Sequence, residues 1–274
     1  MRRTRGWHNG AMSTQQPDHG PLHLPGTSSV GVLVLHGFTS TTASVRDWAR
    51  AIHTATDDAG AHPGVSVPLL PGHGTQWQDL AEQSWQAWRD AVDREYWRLK
   101  EHHEHMVVCG LSMGGALALH TAERREVAGV LLVNPALALV NRAARFSRVL
   151  ARAVPSLPGI GSDIRRESVL ESAYDRTPLA AVAQLNVLMH RTARMLPAVT
   201  APVIVFRSEE DHVVSGTSAD LVARRATGPV RVVPLPDSYH VATLDHDAPL
   251  IEARSRDAVQ RISRGEPFLP EVRE

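Results

Sequence analysis

The stretch "VVCGLSMGGAL", residues 107–117, indicates how the chain folds, because a strand pattern meets a glycine-rich turn and then a helical pattern. The apolar residues before Gly110 are typical of a buried strand, and "ALALHTA" from Ala116 favours a helix. Between them, glycines stand two residues before and two after Ser112, in the pattern G-x-S-x-G. A strand that turns abruptly into a helix strains the backbone of the serine and leaves room only for small neighbours. The stretch therefore predicts a sharp turn that exposes one serine.

Similar apolar, β-branched runs recur along the chain and alternate with helical patterns. The strand candidates are "VGVLVLH" at 30–36, "VSVP" at 65–68, "MVVCG" at 106–110, "VAGVLLVN" at 127–134, "APVIVFR" at 201–207 and "VRVVPL" at 230–235. Helical spacing of apolar residues lies between them, at Trp85, Trp88, Val92, Tyr96 and Leu99, and again at Ile251, Ala258, Val259 and Ile262. Runs that are apolar on both faces are typical of parallel strands. The alternation predicts an α/β fold, with a mostly parallel central sheet and helices on both faces.

One interval is too long for a simple crossover. About 65 residues separate the strand that ends near Asn134 from the strand that begins near Ala201, which is far more than a crossover helix requires. Within this interval one helical face is apolar and the opposite face is basic. The apolar face has Phe146, Val149, Leu150, Ala153 and Val154, and the basic face has Arg142, Arg145, Arg148 and Arg152. We therefore expect a small cap over a pocket, and an extra helix on the flank of the sheet is the alternative.

These patterns predict the domain organisation. Residues 23–135 and 200–268 form the α/β core, and residues 136–199 form the cap, inserted before the last strands. Residues 1–22 have the charged start of a secretion signal but lack the apolar stretch that must follow it, so we expect a disordered extension.

Charge and cysteine usage exclude several classes of function. Lys+Arg and Asp+Glu balance at 29 each, which argues against nucleic acid or an anionic membrane as the main partner. The single cysteine, Cys109, excludes internal disulfides, and no Cys/His spacing matches a structural zinc site, so a cytoplasmic location is expected. "HHEH" at 102–105 favours a solvated turn over a metal site. We expect no metal, no cofactor and no membrane-spanning segment, and the sequence does not indicate the oligomeric state.

A serine hydroxyl is a poor nucleophile at neutral pH, so it needs a base within hydrogen-bond reach and an acid that holds the base. Asp211 is the predicted acid, because it follows the strand candidate 201–207; Glu209 and Glu210 are its alternatives. His240 is the predicted base, because it follows the strand candidate 230–235. His246 is the alternative base.

Two backbone N–H groups are expected to bind the oxyanion that forms when a serine attacks a carbonyl. One belongs to Met113, directly after Ser112, and the other to Phe38, in the loop after the first strand candidate. Other residues are given structural roles: His36 should be buried and fix that loop, His73 should shape the pocket rim, His212 should point away from Asp211, and Cys109 should be buried and inert.

Several motifs together carry a family resemblance: "VLVLHGFTS", "LPGHGT", "GLSMGGAL", "LPGIGSDI", "EDHVV" and "SYHVATLDHD". They resemble the bacterial monoacylglycerol lipases of the Bacillus type and a related group of thermostable carboxylesterases, within the α/β-hydrolases. The likeness runs from about Val30 to Arg264. It implies the α/β-hydrolase fold and the hydrolysis of monoacylglycerols to glycerol and a fatty acid, without metal or cofactor. The expected partner is a small lipid ester, with transient contact between the cap and a lipid surface.

Matched motif by motif, the resemblance implies the same catalytic and oxyanion residues as the reasoning above. It also implies that Ile160 lines the acyl channel and that Glu171 helps to recognise glycerol. Residues 136–155 depart most from the family pattern, which leaves the acyl-chain preference open. Two alternatives remain at this point: a broad-specificity short-chain carboxylesterase, and a catalytically inactive binding protein on the same scaffold.

Overall fold

The structure, a computed structural model, describes residues 18–141, 144, 146–159 and 162–270. In chain order its strands are β1 (Leu22–Leu24), β2 (Val30–Leu35), β3 (Gly64–Val67), β4 (His105–Leu111), β5 (Gly129–Val133), β6 (Ser156–Pro158), β7 (Arg176–Pro178), β8 (Val203–Ser208) and β9 (Val230–Leu235). Its α-helices are α1 (Arg46–His53), α2 (Trp77–Ala81), α3 (Trp85–Lys100), α4 (Met113–Ala122), α5 (Ser147–Leu150), α6 (Leu179–Met195), α7 (Thr217–Arg225) and α8 (Ala248–Ser263).

Seven strands form one sheet in the order β1-β3-β2-β4-β5-β8-β9, and β6 and β7 pair separately as a small antiparallel hairpin. Strands β2, β3, β4, β5, β8 and β9 are mutually parallel, and each coincides with one of the six strand candidates to within two residues at either end. Strand β1, which pairs antiparallel to β3, was not predicted because it has only three residues, none of them buried. The predicted mostly parallel sheet is confirmed.

Helices cover both faces of the sheet, as predicted. On one face, α3 buries Trp85, Trp88, Val92, Tyr96 and Leu99, the set that the helical spacing predicts. On the other face, α1 and α8 pack together, and the Trp48 indole N–H donates a 2.9 Å hydrogen bond to Ser255 Oγ. The predicted stripe of α8 is buried as well, from Ile251 to Ile262. Each face therefore has its own hydrophobic core, and the loops at the edge of the sheet are anchored by strands packed between the two cores.

The turn between β4 and α4 is the most constrained point of the backbone. Ser112 has φ 55° and ψ −116°, a backbone conformation that residues other than glycine adopt only under strain. A Cβ on Gly110 would lie 2.2 Å from the carbonyl carbon of Gly114, and a Cβ on Gly114 would lie 2.1 Å from the Leu35 carbonyl oxygen. Both glycines are therefore required by close backbone contacts, and the serine is held at the tip of the turn.

The interval between β5 and β8, where the cap is predicted, contains a short helix and a long one. The predicted amphipathic helix is shorter than its pattern: α5 has four residues, and after Leu150 backbone bonds that span three residues mix with bonds that span four as the chain turns toward Pro155. Its apolar face is exposed, with Phe146 at 52% and Val149 at 66%, so the prediction that this face is buried over the pocket is wrong for these side chains.

The second half of this interval is the 17-residue helix α6, which packs on α4 and α3 at the flank of the sheet. The flank-helix alternative is therefore also present, beside a covering segment. The boundaries 136 and 199 stay a prediction.

The N-terminal extension was expected to end at residue 22, and residues 1–17 lie outside the described part of the chain. Residues 18–22, however, bind to the core. The Gly20 carbonyl oxygen accepts hydrogen bonds of 2.6 Å from Thr42 Oγ1 and from Arg46 Nη2. The Asp18 carboxylate lies 3.3 Å from the same guanidinium. This part of the expected extension is therefore ordered, because its carbonyl and carboxylate both bind Nη2 of the buried Arg46. Across the described residues, no helix is both long and apolar enough to cross a membrane.

Candidate active site

Three of the predicted site residues meet at one edge of the sheet. Ser112, Asp211 and His240 each lie just after a parallel strand, β4, β8 and β9, so their loops emerge at the same edge. Ser112 Oγ lies 2.9 Å from His240 Nε2, and His240 Nδ1 lies 2.8 Å from Asp211 Oδ2. A carboxylate only accepts, so Nδ1–H donates to Asp211 and leaves Nε2 free to accept the serine proton. The predicted acid, base and nucleophile form one hydrogen-bonded chain.

The Asp211 carboxylate is fixed by its own loop. Its Oδ1 accepts the backbone N–H groups of Val213 and Val214 at 2.9 and 2.8 Å, while its Oδ2 faces the imidazole. The side chain is only 8% exposed. Because backbone donors hold one oxygen, the other oxygen has a defined direction, and it can orient the histidine ring.

The pKa of His240 is raised above its ordinary value of 6.5. Burial acts first and lowers the pKa, but the hydrogen bond and charge of Asp211 outweigh it, and the charges of Glu171 and Asp163 add to the increase. A raised pKa means that the imidazolium form is stabilised, which is the form a base reaches when it accepts a proton.

The alternative acids and the alternative base lie elsewhere. Glu209 is exposed, and Glu210 binds Arg165 Nη2 at 2.9 Å and His212 Nε2 at 3.2 Å. His246 is exposed, in the short turn before α8. Neither glutamate contacts the imidazole of His240, so the geometry favours the aspartate.

The predicted oxyanion residues flank the serine. Met113 is the first residue of α4, so its N–H is one of the helix N-terminal donors that have no acceptor within the helix. The loop after β2 passes the serine so closely that a Cβ on Gly37 would lie 3.6 Å from Ser112 Cβ. Phe38, the next residue, lines the cavity above the serine.

His36 fixes this loop, as predicted. Its Nε2 accepts the Leu70 N–H at 3.1 Å and its Nδ1–H donates to the Gly37 carbonyl at 2.9 Å, which requires the neutral ring. Burial lowers the pKa of His36 to about 4 and that of His73, which stacks edge-on against it, to about 3. His73 was expected at the pocket rim but is buried beneath Phe38, so it supports the loop from below.

The other structural assignments hold with one exception. Cys109 is fully buried inside β4, and burial raises the pKa of its thiol well above 9, so the thiol is inert. His212 binds Asp163 and not Asp211, as expected. His103, expected in a solvated turn, is buried, with Nδ1 at 3.0 Å from the Ser28 carbonyl oxygen. Within residues 18–141, 144, 146–159 and 162–270, no group of three His, Cys, Asp or Glu side chains is placed to hold a metal ion.

A cavity of about 400 Å³ opens over the serine. Residues of the 136–199 interval supply much of its apolar wall: Leu139, Leu150, Leu157, Leu179, Val182 and Leu185. The wall also includes polar side chains, among them Ser112, His240 and Glu171. The cavity is thus an apolar chamber with a hydrogen-bonding region that contains the nucleophile, a shape that suits an ester with an apolar acyl part.

Of the two predicted substrate-binding residues, only one can be located. Glu171 lines the cavity, and its backbone N–H donates to Ser162 Oγ at 2.8 Å. Burial raises the pKa of the Glu171 carboxyl, and the Ser40 hydroxyl and the His240 charge oppose this increase. Ile160 lies outside the described residues.

Three residues of the site were not identified from the sequence. Asn134, after β5, has φ 44° and donates from Nδ2 to Ser208 Oγ at 2.8 Å and to the His240 carbonyl at 2.9 Å. Asp163 and Asp245 bind backbone N–H groups of the loops around His240. Asp163 stands inside the motif "LPGIGSDI", which was singled out only for its resemblance. Their roles depend on contacts between distant segments, which spacing does not reveal.

The chain is similar in sequence to known proteins. Residues 32–253 match the model of the alpha/beta hydrolase family. The chain is 38% identical over 229 residues to the thermostable monoacylglycerol lipase of Bacillus sp. (strain H-257), covering 82% of this chain and 88% of that protein. It is 25% identical over 226 residues to a carboxylesterase of Bacillus subtilis (strain 168), covering 80% of this chain and 88% of that protein.

A solved structure also matches. It comes from work on two metagenome-derived lipolytic enzymes, LipS and LipT, and superposes with a TM-score of 0.84 at 35% identity, covering 89% of this chain and 98% of that chain. The resemblance drawn from the sequence motifs and the predicted fold are confirmed by these matches.

Proposed function

Since this chain belongs to the alpha/beta hydrolase family and hydrolyses esters, we propose that its substrates are monoacylglycerols, which it converts to glycerol and a fatty acid. The observation that carries the proposal is the cavity, which places a hydrogen-bonding carboxyl group, Glu171, beside the serine and the histidine in an otherwise apolar chamber. A monoacylglycerol has the matching shape, with one apolar chain and two free hydroxyl groups. The relative that is 38% identical to this chain is named as a monoacylglycerol lipase.

In the proposed reaction, His240 accepts the Ser112 proton while the serine oxygen attacks the ester carbonyl carbon. Asp211 keeps the imidazole in the required tautomer and stabilises its positive form. The imidazolium then protonates glycerol as the alcohol leaves, which produces an acyl-enzyme. Water attacks this intermediate by the same steps, with His240 again as base, and the fatty acid is released.

The tetrahedral intermediate carries a negative charge on the former carbonyl oxygen. We assign its stabilisation to the backbone N–H groups of Phe38 and Met113, each of which contributes on the order of 3 kcal/mol in such sites. The Met113 donor gains from the N-terminal end of the α4 dipole. The His36 bonds on either side of the Gly37 loop hold the other donor in place before substrate arrives.

A substrate panel tests the proposed specificity. We expect kcat/KM for monolauroylglycerol to exceed that for ethyl laurate at least about tenfold, because a site built to bind substrate hydroxyl groups loses those bonds with the ethyl ester. Trilauroylglycerol should react most slowly. Replacing Glu171 with alanine should bring the two monoester rates close together, since the carboxyl group is the proposed glycerol ligand.

The matched control for this panel is Glu167→Ala, an exposed glutamate four residues away in the same segment, which should leave the ratio unchanged. The proposal would be contradicted if the wild type hydrolysed ethyl laurate as fast as monolauroylglycerol. A preference for butyrate esters would support the alternative, a short-chain carboxylesterase, whose basis is the similarity to the Bacillus subtilis enzyme.

We also propose that the exposed side of the cap contacts anionic lipid surfaces. Val149 is 66% exposed on α5, next to a groove lined by Arg148, Arg191 and Arg194. Among the described side chains, none of these three arginines has a carboxylate partner within 4 Å. The chain is neutral overall, so this patch is a local concentration of positive charge beside exposed apolar residues. Such a combination binds anionic lipid headgroups.

Sedimentation with lipid vesicles tests this contact. Replacing Val149 with aspartate should reduce binding to vesicles rich in anionic phosphatidylglycerol about tenfold, because it removes apolar contact and adds a repelled charge. Val232→Asp, on the edge strand β9, is the control and should bind like the wild type. A wild type that does not bind these vesicles, or a Val149→Asp variant that binds equally, would overturn the proposal. The cytoplasmic location stays a prediction.

A further inference from the structure

The carboxylate of Asp163 reaches from the inserted segment to both loops that carry the acid and the base. Its Oδ2 accepts the backbone N–H groups of His212 at 3.1 Å and of His240 at 3.2 Å. Its Oδ1 lies 2.7 Å from His212 Nδ1, and its backbone carbonyl accepts the Val241 N–H at 3.0 Å. His212 directly follows Asp211 in the chain. One carboxylate is therefore bonded to the base itself and to the residue next to the acid.

A second carboxylate makes the reverse connection. Asp245, which belongs to the loop of the base and is 1% exposed, accepts the backbone N–H groups of Arg165 and Arg166 in the inserted segment, at 2.7 and 3.1 Å. The same side chain also accepts the Tyr239 N–H at 2.9 Å. The inserted segment and the base loop are thus tied in both directions by partly buried, charge-assisted bonds, which are stronger than neutral ones.

We propose that Asp163 is a positioning residue that holds the acid loop and the base loop at the separation that the catalytic hydrogen bonds require. The proposal rests on the function proposed above for Ser112, Asp211 and His240. Without the Asp163 side chain, His240 would keep its bond to Asp211 and the Asn134 bond to its carbonyl, but the acid loop and the base loop would lose the carboxylate that bonds to both. The inserted segment then has a second role besides covering the cavity, because it completes the geometry of the base.

The charge of Asp163 acts on the same ring. The charged groups that face His240 are Asp211, Glu171 and Asp163, and all three favour its protonated form. Replacing Asp163 with asparagine keeps the shape and one acceptor oxygen but removes the charge. Replacing it with alanine removes both, so the two variants separate geometry from charge.

Steady-state kinetics with p-nitrophenyl esters, normalised by fluorophosphonate titration of active sites, tests the proposal. We expect Asp163→Ala to lower kcat per active site about 10²-fold with KM changed less than threefold, because small displacements of a catalytic group have effects of this size. We expect Asp163→Asn to move the acid limb of the pH profile of kcat/KM to lower pH, since loss of the charge lowers the pKa of His240.

Asp175→Asn is the matched control, because its side chain is exposed in the same segment, and it should behave like the wild type in both measurements. Wild-type kcat in Asp163→Ala, or an unmoved acid limb in Asp163→Asn, overturns the proposal. If the alanine variant does not fold, the pH profile of the asparagine variant decides alone. If the wild type is active and the Asp163 variants behave like it, only this inference is refuted. If fluorophosphonate does not label the wild type, the proposed function is refuted.

Discussion

Replacing Ser112 with alanine lowers kcat for ester hydrolysis by about 10³-fold or more, because no other nucleophile stands at the tip of the turn. His240→Ala should have an effect of similar size, and the double variant should be no worse than either single one, since the two residues act as a unit. The measurement is initial rates on monolauroylglycerol and on a p-nitrophenyl ester. Both substrates should be affected equally.

The fold should survive these changes. Among the described residues, Ser112 Oγ forms a hydrogen bond with the His240 imidazole alone, and the change to alanine removes this hydroxyl without adding volume. Thermal unfolding of Ser112→Ala should therefore stay within a few degrees of the wild type. Residual activity above about one tenth of the wild-type value in a folded Ser112→Ala protein would mean that a different group performs the attack.

Replacing Asp211 with asparagine should lower kcat by about 10⁴-fold, because an asparagine can donate to Nδ1 and so stabilise the wrong tautomer of the histidine. The backbone donors of Val213 and Val214 would still bind the amide oxygen, which keeps the loop in place while its chemistry fails. The effect should appear in kcat on every ester, with KM nearly unchanged.

The control is Glu210→Gln, one residue before Asp211, whose side chain binds Arg165 and His212 at the surface. It should change kcat less than threefold, in line with the small effect of exposed ion pairs. Loss of activity in Glu210→Gln together with normal activity in Asp211→Asn would reverse the assignment of the acid.

The parts of the fold that could be predicted from the sequence are those with a periodic or local cause. Five of the six parallel strands are buried almost throughout, on both faces, so they are recognisable as continuous apolar runs; β9, at the edge of the sheet, is only partly buried. The helix α3 shows its buried stripe directly in its spacing. The turn at Ser112 is recognisable because close backbone contacts require glycine at positions 110 and 114, and both glycines lie within one short stretch of sequence.

The inserted segment shows the limit of the same reasoning. The apolar spacing from Phe146 to Val154 is helical, but periodicity does not say whether an apolar face meets protein or solvent. Among the residues that the structure describes, no element covers Val149, and the helix ends after four residues. Helix α6 supplies Leu179, Val182 and Leu185 to the cavity wall, although its apolar residues are mixed with polar ones on a partly exposed face.

Asp163 and Asp245 could not be identified from the sequence for a different reason. Their bonds join segments that lie between 49 and 80 residues apart, as in the bonds of Asp163 Oδ2 to the His212 N–H and of Asp245 Oδ2 to the Arg165 N–H. A carboxylate that accepts backbone N–H groups has no side-chain partner with a recognisable spacing. The chain order of serine, acid and histidine could be predicted because the fold dictates it, whereas the residues that hold their loops depend on how distant loops meet.

The central claim is that His240, oriented by Asp211, activates Ser112 for attack, and covalent labelling with a fluorophosphonate tests it most directly. Mass spectrometry of the intact protein and its peptides should show one adduct, on Ser112, in the wild type and none in Ser112→Ala. His240→Ala should label at least about 10²-fold more slowly, because the serine then lacks its base. A wild type that stays unlabelled, or a His240→Ala protein that labels as fast as the wild type, would contradict the account.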